Sequence, residues 1–417
     1  TQLLPMQLNV VSWIDSTDVD NDGDLDVVVG GLRYLDHGGP ILKHVGIWYE
    51  NLDGNSTLRR AQEWRIADDP GAAVPGSHKL IDFDRDGSVD LVMVSEGQVY
   101  WSHNRGGVSG FDDARQLGPA GLDATVVVAD IDENDRIDLV YADDFSVVAQ
   151  EQSVIGGDEL TATRQLFQTS ERIREMQLID INLDGAADLV ARTFSNRIVW
   201  YPRQGDGDFG AEALIATDAT VLTVADLNGD AAADILIPRA NGEVGPMFRW
   251  HMNDGQGGFS DAITGPLATT VALNWRSELE VGDLDADGDG DVLMGGTGGA
   301  LWFENLGTEF AAGSRLYDSS VVQTLHLVDL DQDGDLDWIS LASRGRTGLR
   351  LHEQRTIGDV NDDGVFNSAD LIVLFEVNVY EQGITARSSF NTGDFNGDGL
   401  FDSSDLVFAM QAGTYVV

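Results

Sequence analysis

The chain has 417 residues, 42% of them hydrophobic, and its 25 basic and 71 acidic residues give a formal net charge of −46. Because phosphates and anionic lipid surfaces are bound by basic faces, this balance excludes nucleic acid and anionic membranes as partners. The absence of cysteine excludes disulfides and thiolate metal sites, and no apolar run approaches the ~20 residues of a membrane-spanning helix. A charge of this size opposes compaction through self-repulsion, so the sequence predicts bound cations.

A nine-residue acidic motif recurs seven times. Its last copy, residues 329–337, reads D-L-D-Q-D-G-D-L-D between two apolar runs. Carboxylates two residues apart converge on a hard cation, and the glycine permits a sharp turn. An EF-hand would need an acidic residue at position 12, where this copy has Ser340, so Asp337 at position 9 is interpreted as closing the loop. A single copy would be read as a plain turn rich in Asp and Gly, but seven copies predict calcium-binding β-hairpins.

The copies differ in their predicted ligands. The first and sixth are acidic at every alternate position: Asp18, Asp20, Asp22, Asp24 and Asp26, and Asp283, Asp285, Asp287, Asp289 and Asp291. The second and seventh keep every ligand position: Asp82, Asp84, Asp86 and Asp90, and Asp329, Asp331, Asp333, Asp335 and Asp337.

The other three copies are predicted to be weaker. The fourth and fifth replace one carboxylate by an amide: Asp180, Asn182, Asp184 and Asp188, and Asp226, Asn228, Asp230 and Asp234. The fifth also has Ala231 at the glycine position, which adds strain. The third copy has Asp135 at that position and Arg136 beside it, so it is the copy expected to be empty; its ligand positions are Asp130, Asp132, Asn134 and Asp138.

The spacing of the copies indicates the architecture. They begin at residues 18, 82, 130, 180, 226, 283 and 329, and four of the six separations lie between 46 and 50 residues. That period is typical of a four-stranded propeller blade. Each copy lies between two apolar runs, and a third strand follows that carries an aromatic residue, often Trp before a nearby Asn, as in 48–51 and 101–104. Because Trp recurs on this one strand of the blades, it is interpreted as packing between blades rather than as a sugar-stacking surface.

The last blade has one strand too few. After Asp337 only two strands, at 338–342 and 349–353, fit before the pattern changes at Gly358. At the other end, the segment before the first loop is longer than one strand requires. Residues 1–5 are therefore predicted to supply the fourth strand of the seventh blade, which would remove the last exposed sheet edge.

These features resemble the FG-GAP/VCBS-like repeats of integrin-α-type propellers, and the resemblance covers residues 1–355. It implies a mostly β fold: a seven-bladed β-propeller with calcium-binding hairpin loops. In that family, positions 1, 3, 5 and 9 supply side-chain ligands and position 7 a backbone carbonyl. The motif specifies fold and metal far better than it specifies activity.

Residues 356–417 follow a different pattern. Two twelve-residue acidic loops lie 35 residues apart, and each precedes a segment with the apolar spacing of a helix. The predicted ligands are Asp359, Asn361, Asp363, Val365, Asn367 and Asp370 in the first loop, and Asp394, Asn396, Asp398, Leu400, Asp402 and Asp405 in the second.

Paired loop–helix units closed by Asp at position 12 resemble a type I dockerin, the calcium-dependent module that binds cohesins. The helix positions that are often basic in that family are Phe375, Glu376, Met410 and Gln411 here, so the resemblance leaves the partner class open. Residues 356–358 alone separate this module from the last blade. With so short a junction, the module is expected to pack on the propeller as part of a rigid particle.

Calcium and location are predicted together. Nine loops binding one Ca²⁺ each would lower the net charge from −46 to about −28 and relieve self-repulsion. Calcium loops of low affinity function where calcium is millimolar, outside the cell. The start at Thr1 without Met suggests a processed chain, so the protein is predicted to be extracellular.

Three functions remain open. The seven histidines form no H-x-H or H-E-x-x-H spacing, and no G-x-S-x-G is present. The favoured hypothesis is a non-catalytic structural, adhesion or assembly subunit whose C-terminal module binds a cohesin-like partner or another copy of the chain. The second is a carbohydrate-binding propeller that uses the longer loops at 33–44 and 238–243 to bind glycans. The third is a polysaccharide lyase or another glycan-active enzyme.

Overall fold

The computed structural model describes most of the chain. The residues described are 2–6, 8, 10–34, 42–52, 54, 56–69, 77–95, 97–119, 125–131, 134–151, 160, 163–204, 208–239, 245–266, 279–285, 287–296, 299–307, 309–317, 322–342, 348–352, 360, 366–376, 380 and 401–411. Within these ranges, no helix combines the length and the apolar character needed to span a membrane.

Seven antiparallel sheets of four strands form the body of the protein. The chain opens with β1 (Gln2–Pro5), and six blades then follow in order. Their strands are β2 Val10–Thr17, β3 Asp26–Tyr34, β4 Leu42–Asn51, β5 Leu58–Asp69; β6 Ser77–Ile81, β7 Asp90–Ser95, β8 Gln98–Ser102, β9 Arg115–Pro119; β10 Val126–Ala129, β11 Asp138–Asp143, β12 Ser146–Gln150, β13 Arg164–Gln168; β14 Ile173–Ile179, β15 Asp188–Thr193, β16 Ile198–Tyr201, β17 Ala213–Ala216; β18 Thr223–Ala225, β19 Asp234–Pro238, β20 Phe248–His251, β21 Ile263–Thr264; and β22 Leu279–Gly282, β23 Asp291–Gly296, β24 Gly299–Phe303, β25 Ser314–Tyr317.

The seventh sheet joins the two ends of the ring. It consists of β26 (Val322–Val328), β27 (Asp337–Ala342) and β28 (Gly348–His352), with β1 as its fourth strand. Strand β1 runs antiparallel to β28, with Leu4 opposite Leu349. First strands of neighbouring blades contact one another in the pairs β6–β10, β10–β14, β18–β22 and β22–β26, and β26 contacts β2. The strand that the sequence lacks at the end of the ring is thus supplied by residues 2–5, so β28 is paired on both sides and the seventh blade has four strands like the others.

Apolar side chains fill the spaces between blades. One cluster joins the seventh and first blades and includes Leu4 and Leu8, and another extends across the second to fourth blades. The third-strand residues Trp48, Trp101 and Trp200 are at most 8% exposed. Trp64 stacks on Phe111 of the next blade at 4.4 Å between ring centroids. The Trp residues are therefore core, as their regular spacing predicts, because a flat ring fills the wedge between two twisted sheets.

Two helices follow the propeller, α1 (Ser368–Glu376) and α2 (Ser403–Gln411). They share a small core of their own in which residues 35 positions apart pair up: Phe366 with Phe401, and Leu374 with Ala409. All four side chains are at most 2% exposed. The repeat seen in the sequence thus corresponds to two helices that contribute equivalent positions to one shared core.

Candidate metal centres in the hairpin loops

All seven acidic loops connect the first strand of a blade to its second strand. Because every blade runs in the same direction around the ring, the loops lie on one face of the propeller. The residue at position 6 of the loop has a left-handed conformation in all seven copies. Position 6 is Gly in five copies, but Asp135 (φ 65°) and Ala231 (φ 69°) adopt the same conformation. The loop geometry therefore persists where the sequence disfavours it, at a cost in strain.

The first carboxylate of each loop fixes the turn. In all seven copies it accepts a hydrogen bond from the backbone N–H of position 6, as between Gly23 N and Asp18 Oδ2 at 3.0 Å. The ninth carboxylate closes the loop by accepting from the N–H of position 2, as between Val19 N and Asp26 Oδ2 at 3.0 Å. All seven position-9 Asp residues are fully buried. Two of its own carboxylates thus fix the backbone of each acidic hairpin through hydrogen bonds.

In four blades, the Asn that follows the third strand connects the blade's acidic loop to the acidic loop of the preceding blade. Asn104 Nδ2 donates to Val89 O in its own loop at 3.1 Å and to Val19 O in the preceding blade's loop at 2.7 Å, and its backbone N–H donates to Asp90. Asn51, Asn253 and Asn305 make the same three bonds in their blades. The sequence shows that this Asn belongs to a motif. Only the fold shows that its side chain connects two blades.

Replacing Asn104 by Leu is expected to lower the free energy of unfolding by about 2–4 kcal/mol, because two buried carbonyl groups lose their donor. Denaturant unfolding at fixed calcium concentration measures this loss. Gln116→Leu on β9 is the control: the Gln116 side chain is exposed and, among the described residues, bonds to Gln98 alone, so its replacement is expected to change the free energy of unfolding by no more than about 0.5 kcal/mol. Equal losses in the two variants would contradict the proposed tie between loops.

Four loops bring at least three carboxylates together. Their ligand oxygens lie within 4.8 Å of one another in Asp18, Asp20 and Asp22; Asp82, Asp84 and Asp90; Asp283, Asp285 and Asp291; and Asp329, Asp331 and Asp333. Carboxylate oxygens of Asp20, Asp289, Asp329 and Asp335 are buried and, among the described residues, receive no hydrogen bond. Buried anionic oxygens without donors are costly unless a cation lies between them. The first, sixth and seventh loops therefore fit Ca²⁺ on both observations, and the second fits it through its clustered carboxylates, since Ca²⁺ binds oxygen ligands of this kind.

The carboxylates of these loops raise one another's pKa values. Burial raises the pKa of Asp335 to about 8, and the charges of Asp333, Asp331 and Asp329 add to it. Burial likewise raises the pKa of Asp26 and of Asp90 to about 7. A divalent cation would remove this conflict, because an opposite charge at the ligand distance favours the ionised carboxylates. In that role the aspartates would hold the ion, and the ion would supply the positive charge that ties the hairpin together.

The three loops predicted to be weaker are held together differently. In the fourth and fifth, the amides of Asn182 and Asn228 donate to neighbouring carboxylates at 3.0 and 2.9 Å. In the third, Arg136 Nε donates to Asn134 Oδ1 at 2.9 Å, so a guanidinium occupies that ligand oxygen. Asp132 lies outside the described residues. That the third loop binds no metal remains a prediction, which this guanidinium supports.

His103 lies next to the carboxylates of the second loop although it is outside the nine-residue motif. His103 Nε2 lies 3.1 Å from Asp86 Oδ2 and 3.3 Å from Asp84 Oδ2. It stands directly before Asn104, at the position occupied by Glu50 and Glu304 in the first and sixth blades. The charges of Glu50 and Glu304 raise the pKa of Asp20 and Asp285 respectively, after the larger effect of burial. Aligning the third strands on their Asn residues would have indicated these additional candidate ligands.

The C-terminal loops are described only at their ends. Asp370 and Asp405, at position 12 of each loop, are fully buried, and Asp370 accepts hydrogen bonds from the N–H groups of Val360 and Asn367 at 3.0 and 2.8 Å. Asp402 accepts from Ser404 N at 2.7 Å at the start of α2. The other predicted ligands lie outside the described residues: Asp359, Asn361, Asp363, Val365, Asp394, Asn396, Asp398 and Leu400. Calcium binding by this module stays a prediction.

The fold is a seven-bladed propeller, and part of it is similar in sequence to a known repeat family. The family described as FG-GAP-like repeat matches residues 82–141 and 180–237, which contain the second to fifth loops. No curated protein sequence matches the chain.

Two solved structures are similar in fold. An Agrocybe aegerita lectin that recognises non-reducing terminal N-acetylglucosamine has a TM-score of 0.54 and 20% identity, over 74% of this chain and 81% of the lectin chain. BBS1N, in a complex with ARL6DN, has a TM-score of 0.52 and 10% identity, over 84% of this chain and 97% of that chain. At these identities the likeness concerns the propeller fold alone.

Proposed function

We propose that this protein is an extracellular, calcium-stabilised propeller that acts as a non-catalytic structural or assembly subunit and docks to a protein partner through its C-terminal helix pair. FG-GAP-like repeats are typical of extracellular proteins, and low-affinity calcium loops suit millimolar calcium. In this proposal the loops stabilise the scaffold, and the C-terminal module, which resembles a type I dockerin, makes the contact.

The observation that carries the proposal is an apolar surface presented twice. Ile372 and Phe375 on α1 are 61% and 49% exposed, and Val407 and Met410 on α2 are 54% and 44% exposed. Each residue of the second pair lies 35 positions after its counterpart in the first, so the two helices present equivalent surfaces. Large apolar side chains repeated on so small a unit indicate a protein-binding face. The partner would be a cohesin-like domain or a second copy of this chain.

Removing residues 356–417 is expected to leave a folded propeller and to abolish any multimer or cohesin binding. The described core of the helix pair contains no propeller residue, which supports independent folding of residues 1–355. Light scattering in millimolar calcium and calorimetry against a panel of cohesin domains measure the two kinds of contact. The double variant Phe375→Asp/Met410→Asp should likewise lose multimerisation and cohesin binding. Val108→Asp, which changes a propeller side chain that is 92% exposed, should lose neither.

The outcomes separate the two partners. Full-length protein that multimerises only with its C-terminal module would support self-assembly, and in a non-closing head-to-tail contact this produces filaments. A monomer that binds a cohesin would support docking to a separate partner. A monomer at high concentration that binds no cohesin would reject the proposal.

Carbohydrate binding is the second candidate, and one feature favours it. A small cavity lies at the fifth blade, next to the longer loop that the sequence indicates at 238–243. The fold is also similar to that of a lectin. Binding assays with neutral and acidic sugars decide between two alternatives: a cavity that binds glycans, or a longer loop that binds none.

A further inference from the structure

The cavity of the fifth blade carries a charge opposite to that of the protein. It has a volume of about 160 Å³ and is lined by Ile237, Arg239, Pro246, Phe248, Arg249 and Thr264. Two of these side chains are cationic and none is acidic, in a chain with a net charge of −46. The lining is otherwise mainly apolar. Such a combination, an apolar wall with a few fixed polar groups, is characteristic of ligand sites.

Both guanidinium groups are anchored through backbone carbonyls. Arg239 Nη1 donates to Gly245 O at 2.8 Å, and Arg249 Nη2 donates to Thr217 O at 2.6 Å and to Asp218 O at 3.2 Å. Within the described part of the chain, neither forms an ion pair with a carboxylate, whereas Arg105 and Arg197 elsewhere do. Each guanidinium has five N–H donors, so several remain for a ligand. Anchoring lowers the entropy that the side chain loses on binding.

The surrounding backbone makes the cavity rigid. Arg239 N donates to Met247 O, Met247 N to Pro266 O, and Gly265 N to Phe248 O, all at 2.9 Å. These bonds join the ends of β19, β20 and β21 at the side of the blade remote from its calcium loop. Strand β19 begins at Asp234 of that loop, and five residues of strand place Arg239 roughly 16 Å away. The cavity is therefore separate from the metal site of the same blade.

We infer that this cavity binds a small monocarboxylate, either a uronic acid residue of a glycan or a free organic acid. Two anchored arginines are matched to the planar oxygens of a carboxylate. A dianion such as phosphate would be repelled more strongly by the negative field of the whole protein. The small volume admits a group no larger than a single sugar ring, with Pro246 against its apolar face. This goes beyond the scaffold function and would supply the ligand class of the carbohydrate-binding candidate.

Calorimetry and ligand-observed NMR on the full-length protein in calcium test the inference with four probes: D-glucuronate, D-glucose, acetate and inorganic phosphate. D-glucuronate is expected to bind at least about tenfold more tightly than D-glucose, because a charge-assisted hydrogen bond has no counterpart in the neutral sugar. Arg239→Gln and Arg249→Gln should each weaken D-glucuronate about tenfold or more. Arg105→Gln, on an exposed arginine of the second blade, should leave it unchanged.

The remaining outcomes are equally decisive. Acetate binding as tight as D-glucuronate binding would support the carboxylate site with free acids as its ligands. D-glucose binding equal to D-glucuronate, phosphate binding tighter than both, or full affinity in both Gln variants would overturn the inference. If the loss of the bonds to backbone carbonyls lowers the melting temperature of Arg249→Gln, Arg249→Lys is the second variant. It keeps the charge but loses the bidentate guanidinium geometry, and should weaken binding by a smaller factor. None of these results depends on multimer formation, so they stand apart from the assembly proposal.

Discussion

Excess chelator is expected to lower the melting temperature of the propeller by roughly 10–30 °C. Each loop that binds Ca²⁺ only when folded contributes about 1.4 kcal/mol at ten times its dissociation constant, so the six loops predicted to bind it contribute about 8 kcal/mol. That sum is comparable with the whole stability of an ordinary domain. The loops are also joined around the ring, since Asn104 bonds to the loop of the preceding blade. Thermal unfolding in calcium and in chelator measures the difference.

A matched pair of variants assigns the effect to the metal. Asp329→Asn and Asp130→Asn remove the same structural carboxylate, which accepts from the position-6 N–H at 3.1 and 2.8 Å respectively. The seventh loop is predicted to bind calcium and the third is not. The response to chelator should therefore shrink in Asp329→Asn and persist in Asp130→Asn. Identical melting curves of the native protein with and without chelator would reject calcium stabilisation altogether.

The dependence on pH should reverse sign between the two states. Without calcium, the raised pKa values of Asp335, Asp26 and Asp90, about 8, 7 and 7, mean that the folded protein binds more protons than the unfolded chain. Their contribution is favourable at low pH and is lost as the pH rises through these values. Acidification from pH 8 to 5 should therefore raise the apo melting temperature. With calcium it should fall, because protons compete for the ligands.

Deleting residues 1–5 is expected to have the second large effect. The deletion removes β1, which pairs with β28 through four residues from Gln2 to Pro5, and exposes an edge on the seventh blade. Leu4 is 4% exposed within the core that joins the seventh and first blades, and its loss alone should cost about 2–5 kcal/mol. Denaturant unfolding and light scattering measure the loss of stability and the aggregation that an open edge promotes.

Two further variants separate the contributions of the strand. Leu4→Ala retains the backbone pairing and removes the side chain, so it should account for part of the loss without aggregation. Replacement of residues 1–5 by a Gly-Ser segment of equal length keeps the chain but weakens the strand, and should resemble the deletion. Full stability in the deletion variant would show that the ring closes without β1.

The sequence alone predicted the blades, because their signals are local. The nine-residue motif, the apolar runs beside it and the Trp of the third strand lie within one blade, and their repetition gives the blade number and the missing strand. The buried Trp48 and the closing strand β1 agree with those predictions. The two helices after residue 367 were also predictable, since the helical spacing and the acidic loops are continuous in sequence.

Only the tertiary structure decided the contacts between distant segments. Asn51 Nδ2 reaches Leu330 O across 279 residues, and His103 reaches Asp84 from a different strand. Arg239 and Arg249 meet in one cavity because three strand ends are joined there by backbone bonds. No local pattern encodes such contacts, since they depend on which blade follows which around the ring and how strands are paired. The physical reason is that periodicity determines which face of a strand is apolar, whereas the partner of a polar side chain is determined by closure of the ring.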